Sequence, residues 1–208
     1  TRVFTITQPS AIVLNTASQT NVSCFGGSNG AAAVAAATGG AGGYTYNWTP
    51  GNPTGDGTTS VTGLSAGSWT CTVTDANSCT ANRVFTVTQP SALVLNAASQ
   101  TNVSCFGGSN GAAAVAAASG GAGGYSYNWT PGNPTGDGTI SVSGLTAGSW
   151  TCTVTDANSC TANRVFTITQ PSALVVTASS QTNIACFGGA TGAAAINAPT
   201  GGAGGYSF

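Results

Sequence analysis

The sequence repeats itself at a fixed step. Arg2, Arg83 and Arg164 stand in the same local sequence, and 83 − 2 and 164 − 83 both equal 81. Residues 91–171 differ from residues 10–90 only by mild exchanges, such as serine for threonine or isoleucine for valine. A near-identical repeat of this length is one structural unit, so we predict that the chain is an array of a single module.

Comparison of the copies predicts four segments. Residues 1–9 match the last strand of a repeat, and residues 172–208 match the opening of another. Residues 10–90 and 91–171, called repeat 1 and repeat 2 below, each span one complete copy. We therefore expect two complete β-sandwich domains flanked by parts of two more, as in a window cut from a longer array.

The stretch GSWTCTVTDANSC, at residues 67–79 and again at 148–160, indicates the local fold. In its first half Trp69, Cys71 and Val73 alternate with polar residues, mostly threonines. A period of two predicts a strand with one face in a core and the other in water. The Asp-Ala-Asn-Ser segment that follows predicts a turn, and a second β-rich run comes after it.

Other β-rich segments fill the rest of the repeat. Strands are predicted around Ile12 and Leu14, at 44–48 and at 58–64. The alanine-rich segment 31–37 could instead be a short helix, because alanine is the best helix former. We predict a strand there, since a short run between glycines is too brief for a stable lone helix. The Asn29-Gly30 pair before it predicts a tight hairpin turn.

Six or seven short strands separated by turns predict an all-β sandwich. The corner Leu64-Ser65-Ala66-Gly67, leading into Trp69, resembles the corner before strand F of immunoglobulin-like domains. We therefore predict tandem immunoglobulin-like β-sandwich repeats with the 81-residue step of the sequence. The predicted core comprises Trp48, Trp69, Val73 and Phe85 in repeat 1, and Trp129, Trp150, Val154 and Phe166 in repeat 2.

The chain is almost uncharged. It contains three basic residues, four acidic residues and no histidine, and only 3% of its residues are charged. Nucleic acids and anionic membranes both require basic clusters, so neither partner is expected. Without histidine, lysine or glutamate, we predict no catalytic residues and no cofactor site, and hence no enzyme.

Cysteine is the most informative of the rarer residues. The chain has seven cysteines, three in each complete repeat and Cys186 in the last segment. There is no CxxC pair and no histidine, so we predict no metal site. Cysteines in small β-modules without metal-ligand spacing indicate disulfides and an oxidising, extracellular setting.

The acidic residues of repeat 1, Asp56 and Asp75, could be read as calcium ligands. A calcium site, however, needs several clustered oxygens. Asp75 opens the turn after the alternating strand, where a carboxylate can accept hydrogen bonds from backbone N–H groups. We therefore predict that Asp75 stabilises its turn and that neither Asp75 nor Asp56, which lies in a glycine-containing loop, binds a metal.

The order of motifs in the repeat resembles the SprB repeat. In repeat 1 it is carried by CFGGSNG at 24–30, YTYNW at 44–48, LSAG at 64–67, VTDANSC at 73–79 and TQP at 88–90. The family forms long tandem arrays in cell-surface adhesins of gliding bacteria. The resemblance implies a secreted segment on the outer cell surface that sticks or moves with the cell, without enzymatic activity.

The resemblance also implies a disulfide pairing, of Cys24 with Cys79 and of Cys105 with Cys160. Topology leaves an alternative open. The first and last turns of a seven-stranded sandwich lie at opposite ends, so Cys24 would face the neighbouring repeat. On this alternative, a disulfide between Cys24 and Cys160 becomes possible.

Two positions depart from the family pattern. Trp69 stands where a tyrosine is usual, and Cys71 stands where an apolar core residue is usual. Because Cys71 shares a strand face with Trp69 and Val73, we predict that Cys71 and its counterpart Cys152 are buried as small apolar side chains.

Two functional hypotheses follow. The favoured one is a structural tandem-repeat segment of an extracellular bacterial filament or surface adhesin, whose partners are neighbouring repeats and other copies of the same chain. The alternative is a multivalent module in which aromatic side chains and the loop at 50–57 bind surface glycans, with avidity supplied by repetition.

Overall fold

The computed structural model describes all 208 residues, Thr1–Phe208, and every regular element in it is a β-strand. Repeat 1 contains β1 (Ala17–Thr20), β2 (Gly30–Val34), β3 (Thr45–Thr49), β4 (Ser60–Leu64), β5 (Gly67–Thr74) and β6 (Thr80–Val87). Repeat 2 contains β7 (Ala98–Thr101), β8 (Gly111–Val115), β9 (Ser126–Thr130), β10 (Ser141–Leu145), β11 (Gly148–Thr155) and β12 (Thr161–Ile168). The last segment contains β13 (Ser172–Val175), β14 (Ala178–Thr182), β15 (Ala193–Ile196) and β16 (Thr200–Gly202). The chain has no helix long and apolar enough to cross a membrane.

The chain divides into two compact units. The first consists of Thr1–Val94, Gly120–Gly124 and Asp156–Cys160. The second consists of Leu95–Ser119, Tyr125–Thr155 and Thr161–Phe208. The first unit therefore contains residues 1–9, all of repeat 1 and three short segments that come from repeat 2 in the sequence, 91–94, 120–124 and 156–160.

Each complete repeat forms two antiparallel three-stranded sheets. Their strand orders are β1-β2-β4 and β3-β5-β6 in repeat 1, and β7-β8-β10 and β9-β11-β12 in repeat 2. In repeat 1 a single buried cluster contains side chains from both sheets, so the sheets pack face to face. The orders match strands A-B-E and C-F-G of the immunoglobulin fold without strand D. The predicted all-β, immunoglobulin-like sandwich is confirmed.

The centre of each core is a tryptophan on the aromatic strand. Trp48 on β3 is fully buried, and its ring centroid lies 5.4 Å from that of Phe85 on β6. Its indole Nε1–H donates a 2.9 Å hydrogen bond to the Thr58 carbonyl, which satisfies the polar atom inside the core. The equivalent pair in repeat 2 is Trp129 and Phe166, whose ring centroids lie 5.3 Å apart.

The alanine-rich segment is a strand, as predicted. Alternate residues of β2 are buried, and Ala32 and Val34 belong to the same buried cluster as Trp48. Small side chains on this strand leave room for the large rings of the facing sheet. The helix alternative is wrong for this segment because β2 pairs with both β1 and β4.

Two local predictions are wrong. No continuous strand runs through Ile12 and Leu14. Val13 forms only an isolated bridge with Thr38, and β1 begins at Ala17. The amide of Asn15 explains the break, because it donates side-chain hydrogen bonds to the Ala36 carbonyl and to Thr38 where strand pairing would otherwise continue.

The Asn29-Gly30 pair does not form a tight hairpin turn. Neither residue has a positive φ, and the connection between β1 and β2 spans residues 21–29. Instead, the Asn29 side-chain oxygen accepts a 3.0 Å hydrogen bond from the Ser23 backbone N–H. The asparagine therefore fixes a longer loop rather than a two-residue turn.

The corner before β5 is closed by a tryptophan. The Trp69 Nε1–H donates a 3.0 Å hydrogen bond to the carbonyl of Ser65, four residues upstream. Immunoglobulin-like domains use a tyrosine hydroxyl at the same corner to bond to the upstream backbone. Trp69 and its counterpart Trp150 are half-buried, so they cover the edge of the core rather than fill its centre.

The last segment, 172–208, forms two two-stranded sheets, β13-β16 and β14-β15. Ile196 on β15 corresponds to the buried Val34 and Val115, yet it is 50% exposed. No residue of 172–208 supplies the strands that correspond to β5 and β6, which cover that position in the complete repeats.

We expect Trp48→Ala to lower the free energy of unfolding of repeat 1 by about 3–5 kcal/mol. The substitution leaves a cavity beside Phe85 and removes the donor to the Thr58 carbonyl. Urea unfolding followed by far-ultraviolet circular dichroism measures the change. The matched control is Val84→Thr on the exposed side of β6, for which we expect a change within about 0.5 kcal/mol. Equal midpoints for the two variants would show that Trp48 is not the centre of the core.

Candidate functional site

The candidate site is a joint made of two elements, the loop at residues 21–29 and the turn Asp156–Cys160. The loop joins β1 to β2, and the turn joins β11 to β12. Repeat 1 has an equivalent turn, Asp75–Cys79, between β5 and β6. The loop and the turn Asp156–Cys160 both belong to the first compact unit of the structure.

The turn is held by its aspartate. Asp75 Oδ1 accepts hydrogen bonds from the backbone N–H groups of Asn77 and Cys79, both at 2.9 Å. Asp75 Oδ2 accepts a third, also 2.9 Å, from the N–H of Ala41 in the β2–β3 loop. The carboxylate therefore stabilises the turn and ties it to the neighbouring loop, in the capping role predicted from the sequence.

These hydrogen bonds lower the pKa of Asp75 below its ordinary value of 3.8. The bond from Ala41 N–H contributes most, and those from Cys79 and Asn77 add to it against the opposing effect of desolvation. The pKa of Asp156 in the second turn is lowered in the same way, chiefly by the hydrogen bond from the N–H of Ala122. Both side chains are only 5% exposed.

A glycine makes room for each carboxylate. Gly40 has φ +57°, and a Cβ built on it would lie 2.6 Å from Asp75 Oδ2. Gly121 has φ +59°, and a Cβ there would clash with Asp156 Oδ2. A side chain at either position would meet both an unfavourable backbone conformation and a steric clash.

The loop at residues 21–29 is tied to the end of its own repeat. Gln89 Oε1 accepts a 2.7 Å hydrogen bond from Gly26 N–H, and the Thr88 N–H donates at 3.0 Å to Asn21 Oδ1. Gly27 N–H closes the loop by donating to the Cys24 carbonyl at 3.0 Å. Cys24 is thus held beside the Thr-Gln-Pro segment that follows β6.

A disulfide joins the two elements. Cys24 is bonded to Cys160, with their Cα atoms 5.7 Å apart and a sequence separation of 136. Beside it, the Asn158 side-chain amide donates a 2.9 Å hydrogen bond to the Ser23 carbonyl. The joint therefore combines one covalent bond with one polar contact.

The pairing of Cys24 with Cys79 and of Cys105 with Cys160 is therefore wrong, and the alternative drawn from topology is correct. Cys24 is held next to Thr88 and Gln89, after β6, whereas Cys79 immediately precedes β6. The eight residues of β6 span about 26 Å. A disulfide requires Cα atoms within about 7 Å, so Cys24 cannot reach Cys79 in the same sandwich.

The third cysteine of each repeat is a core side chain. Cys71 and Cys152 are fully buried and unpaired. Burial raises the pKa of each thiol to about 11, with a smaller contribution from the nearby Asp56 or Asp137. Neither forms the reactive thiolate that nucleophilic chemistry or disulfide exchange requires.

Three other cysteines, Cys79, Cys105 and Cys186, are exposed and unpaired. No group of three or more His, Cys, Asp and Glu side chains lies close enough together to hold a metal ion. The chemistry that the arrangement offers is thus the oxidation of exposed thiols to disulfides, which is the chemistry of the joint itself.

The sequence profile of the SprB repeat matches residues 16–53, 97–134 and 178–208, together just over half of the chain. The chain belongs to the SprB-repeat family. The matched ranges of this SprB-repeat chain include the loops with Cys24, Cys105 and Cys186, and they end before the turns with Cys79 and Cys160. SprB repeats occur in cell-surface proteins, so the chain is a repeat region of the surface-adhesin type.

The SprB-repeat chain also resembles solved structures at low identity. One is the C-terminal 282-residue fragment of intimin in complex with the intimin-binding domain of the translocated intimin receptor, with a TM-score of 0.40, 14% identity, and coverage of 81% of this chain and 67% of that one. Another is the N-terminal eight Ig domains of Down syndrome cell adhesion molecule, with a TM-score of 0.34, 15% identity, and coverage of 78% and 25%. Both scores lie below 0.5, so the fold assignment depends on strand order. Comparison with curated proteins finds no significant match.

We expect Asp75→Asn to destabilise repeat 1 at neutral pH, because an amide oxygen cannot replace both carboxylate oxygens as acceptors. Since the folded-state pKa is lowered, the contribution of Asp75 is complete above the unfolded value of 3.8 and disappears as the pH falls through the folded value. The difference in unfolding free energy between wild type and variant should therefore shrink in acid. Chemical unfolding at neutral pH and well below pH 3.8 measures it. A difference that is constant with pH would contradict the role assigned to this carboxylate.

We expect a thiol-alkylating reagent to modify Cys71 and Cys152 only after unfolding, because both thiols are buried and weakly acidic. Cys79 and Cys186, which are exposed, should react in the native chain and serve as the internal control. Mass spectrometry of the alkylated chain before and after denaturation gives the result. Native-state labelling of Cys71 at the rate of Cys79 would show that the core opens.

Proposed function

We propose that this chain is a load-bearing structural segment of an extracellular bacterial filament or surface adhesin. The observation that carries the proposal is the disulfide between Cys24 and Cys160, which connects the loop of one sequence repeat to the turn of the next. A stable disulfide of this kind also supports an oxidising location outside the cell.

The disulfide changes how tension passes along the chain. A force applied to the two ends crosses from Cys24 to Cys160 through the sulfur atoms, so the backbone between them carries none of it. That protected stretch includes β2 to β11 and the buried tryptophans Trp48 and Trp129. The sheets β3-β5-β6 and β7-β8-β10, which lie wholly between the two cysteines, are then not pulled apart until the disulfide is reduced.

The same bond stabilises the folded state without load. On the chain-entropy model, closing a loop with a sequence separation of 136 residues adds about 5 kcal/mol. This is comparable to the whole stability of a small domain. The core of each repeat is thin and padded with alanine, so a covalent closure of this size has a large effect.

The nearly uncharged surface supports association with further copies. Only 3% of the residues are charged, so neighbouring chains repel each other little. We therefore propose neighbouring repeats and other copies of the same chain as partners in a filament, at the cell surface. Glycan binding has less support, because Trp48 of the aromatic strand is fully buried and cannot stack on a sugar.

We expect that the oxidised chain, pulled by its ends in a single-molecule force experiment, does not extend between Cys24 and Cys160. Reduction should add about 450–490 Å of contour length, from a sequence separation of 136 residues at roughly 3.3–3.6 Å each. The matched control is Cys24→Ser, which should release this length with or without reductant. Full extension of the oxidised wild-type chain would refute the load-bearing role of the disulfide.

A further inference from the structure

The loop that carries Cys24 recurs around Cys105 with the same internal bonds. Gly108 N–H donates to the Cys105 carbonyl at 3.0 Å, as Gly27 does to Cys24. Gly107 N–H donates to Gln170 Oε1 at 2.8 Å, which repeats the bond that holds the first loop beside the end of its repeat. Cys105 is therefore presented in the same way as Cys24, but it is exposed and unpaired.

The turn that carries Cys160 also recurs, around Cys79. Cys79 N–H and Cys160 N–H each donate to the aspartate of their turn at 2.9 Å. Ser78 and Ser159 both have a φ of 64°, so the two turns share one backbone conformation. The structure thus contains one completed joint and one unpaired copy of each of its two halves.

A cavity of about 400 Å³ lies beside Cys105, within the second compact unit. Its lining consists of Ser104, Cys105, Phe106, Ser172, Ala173, Leu174, Gly202 and Ala203. One sequence step earlier, the corresponding positions are Ser23, Cys24, Phe25, Ser91, Ala92, Leu93, Gly121 and Ala122.

In the completed joint, four of those earlier positions, Ser23, Cys24, Gly121 and Ala122, contact the turn Asp156–Cys160. Asp156 Oδ2 accepts a 2.8 Å hydrogen bond from Ala122 N–H. Asn158 donates to the Ser23 carbonyl, and Cys160 is bonded to Cys24. Gly121 N–H in turn donates to the Ser91 carbonyl at 2.9 Å, which fixes the wall on which the turn lies.

We propose that the cavity beside Cys105 is the receptor for the Asp-Ala-Asn-Ser-Cys turn of a further copy of the repeat, so that an array of these repeats carries one disulfide at every joint. In each joint the cysteine of the loop bonds to the turn cysteine of the following copy. Cys79 is the turn half of such a joint and accepts the loop cysteine of a preceding copy. The proposal names the partner of the joint and rests on the extracellular function proposed above.

The bond-forming step needs an oxidant. The Cys105 thiol and the incoming turn thiol each lose a proton, and the two sulfur atoms form one S–S bond as two electrons leave. A low-molecular-weight disulfide, such as oxidised glutathione, accepts the two electrons and the two protons and becomes two thiols. Because the buried Cys71 and Cys152 do not compete, only loop and turn cysteines take part.

The proposal is tested by extending the full chain. A copy of residues 128–171 is appended after Phe208, which corresponds to Tyr127, so that the added segment supplies the missing turn and its cysteine. The original and extended chains are folded in a glutathione redox buffer, alkylated, cleaved after arginine and analysed by mass spectrometry without reduction. In both chains, Cys24–Cys160 should join peptide 3–83 to peptide 84–164 and thereby report correct folding.

In the original chain we expect complete alkylation of Cys105. In the extended chain we expect none, with peptide 84–164 additionally joined to the peptide that contains the appended turn. The matched control is the extended chain with serine in place of the appended turn cysteine, in which Cys105 should again be alkylated. Alkylation of Cys105 in the extended chain, or its bonding to any other cysteine, while Cys24–Cys160 is intact would overturn the proposal. The force experiment on the original chain does not depend on Cys105, so failure of this joint and failure of the load-bearing role are distinguishable.

Discussion

The carboxylates of Asp75 and Asp156 stabilise the turn at the end of each sandwich, and the joint between the repeats depends on this turn. Each accepts three backbone hydrogen bonds, two from within the turn and one from the loop between the second and third strands of its repeat. These bonds fix the cysteine that ends the turn, and Gly40 or Gly121 makes room for the carboxylate. A disulfide forms only between cysteines whose Cα atoms lie at the correct distance. The hydrogen bonds that fix the turn therefore decide which cysteines meet.

The joint compensates for the small core of each sandwich. The core is centred on a single tryptophan and a strand of alanines, so each repeat buries little apolar surface for its size. The joint adds a covalent bond whose loop includes the central tryptophan of both cores, Trp48 and Trp129. Placing the bond between sequence repeats rather than within one allows a single disulfide to stabilise two thin cores at once, which a bond from Cys24 to Cys79 would not do.

Much of the fold is visible in the sequence because its strands alternate in hydrophobicity and its turns use Gly, Pro, Asn and Asp. Trp48, Val73 and Phe85 are buried where this alternation places them. The disulfide pairing could not be decided in the same way, because sequence position does not show at which end of a sandwich a loop lies. The hydrogen bond from Gly26 to Gln89, a residue 63 positions away, is what places Cys24 at the far end of β6. The tight Asn-Gly turn was likewise overridden by a side-chain bond to Ser23.

The scarcity of charge has a consequence for the medium in which such an array works. The carboxylates of Asp75 and Asp156 are buried and accept backbone hydrogen bonds. Arg83 donates to the backbone carbonyl of Leu14, and Arg164 donates to that of Asn96. Dissolved salt weakens interactions between charges that water can reach, and here such interactions supply almost nothing. The stability of each sandwich should therefore be nearly the same in fresh water and in brine.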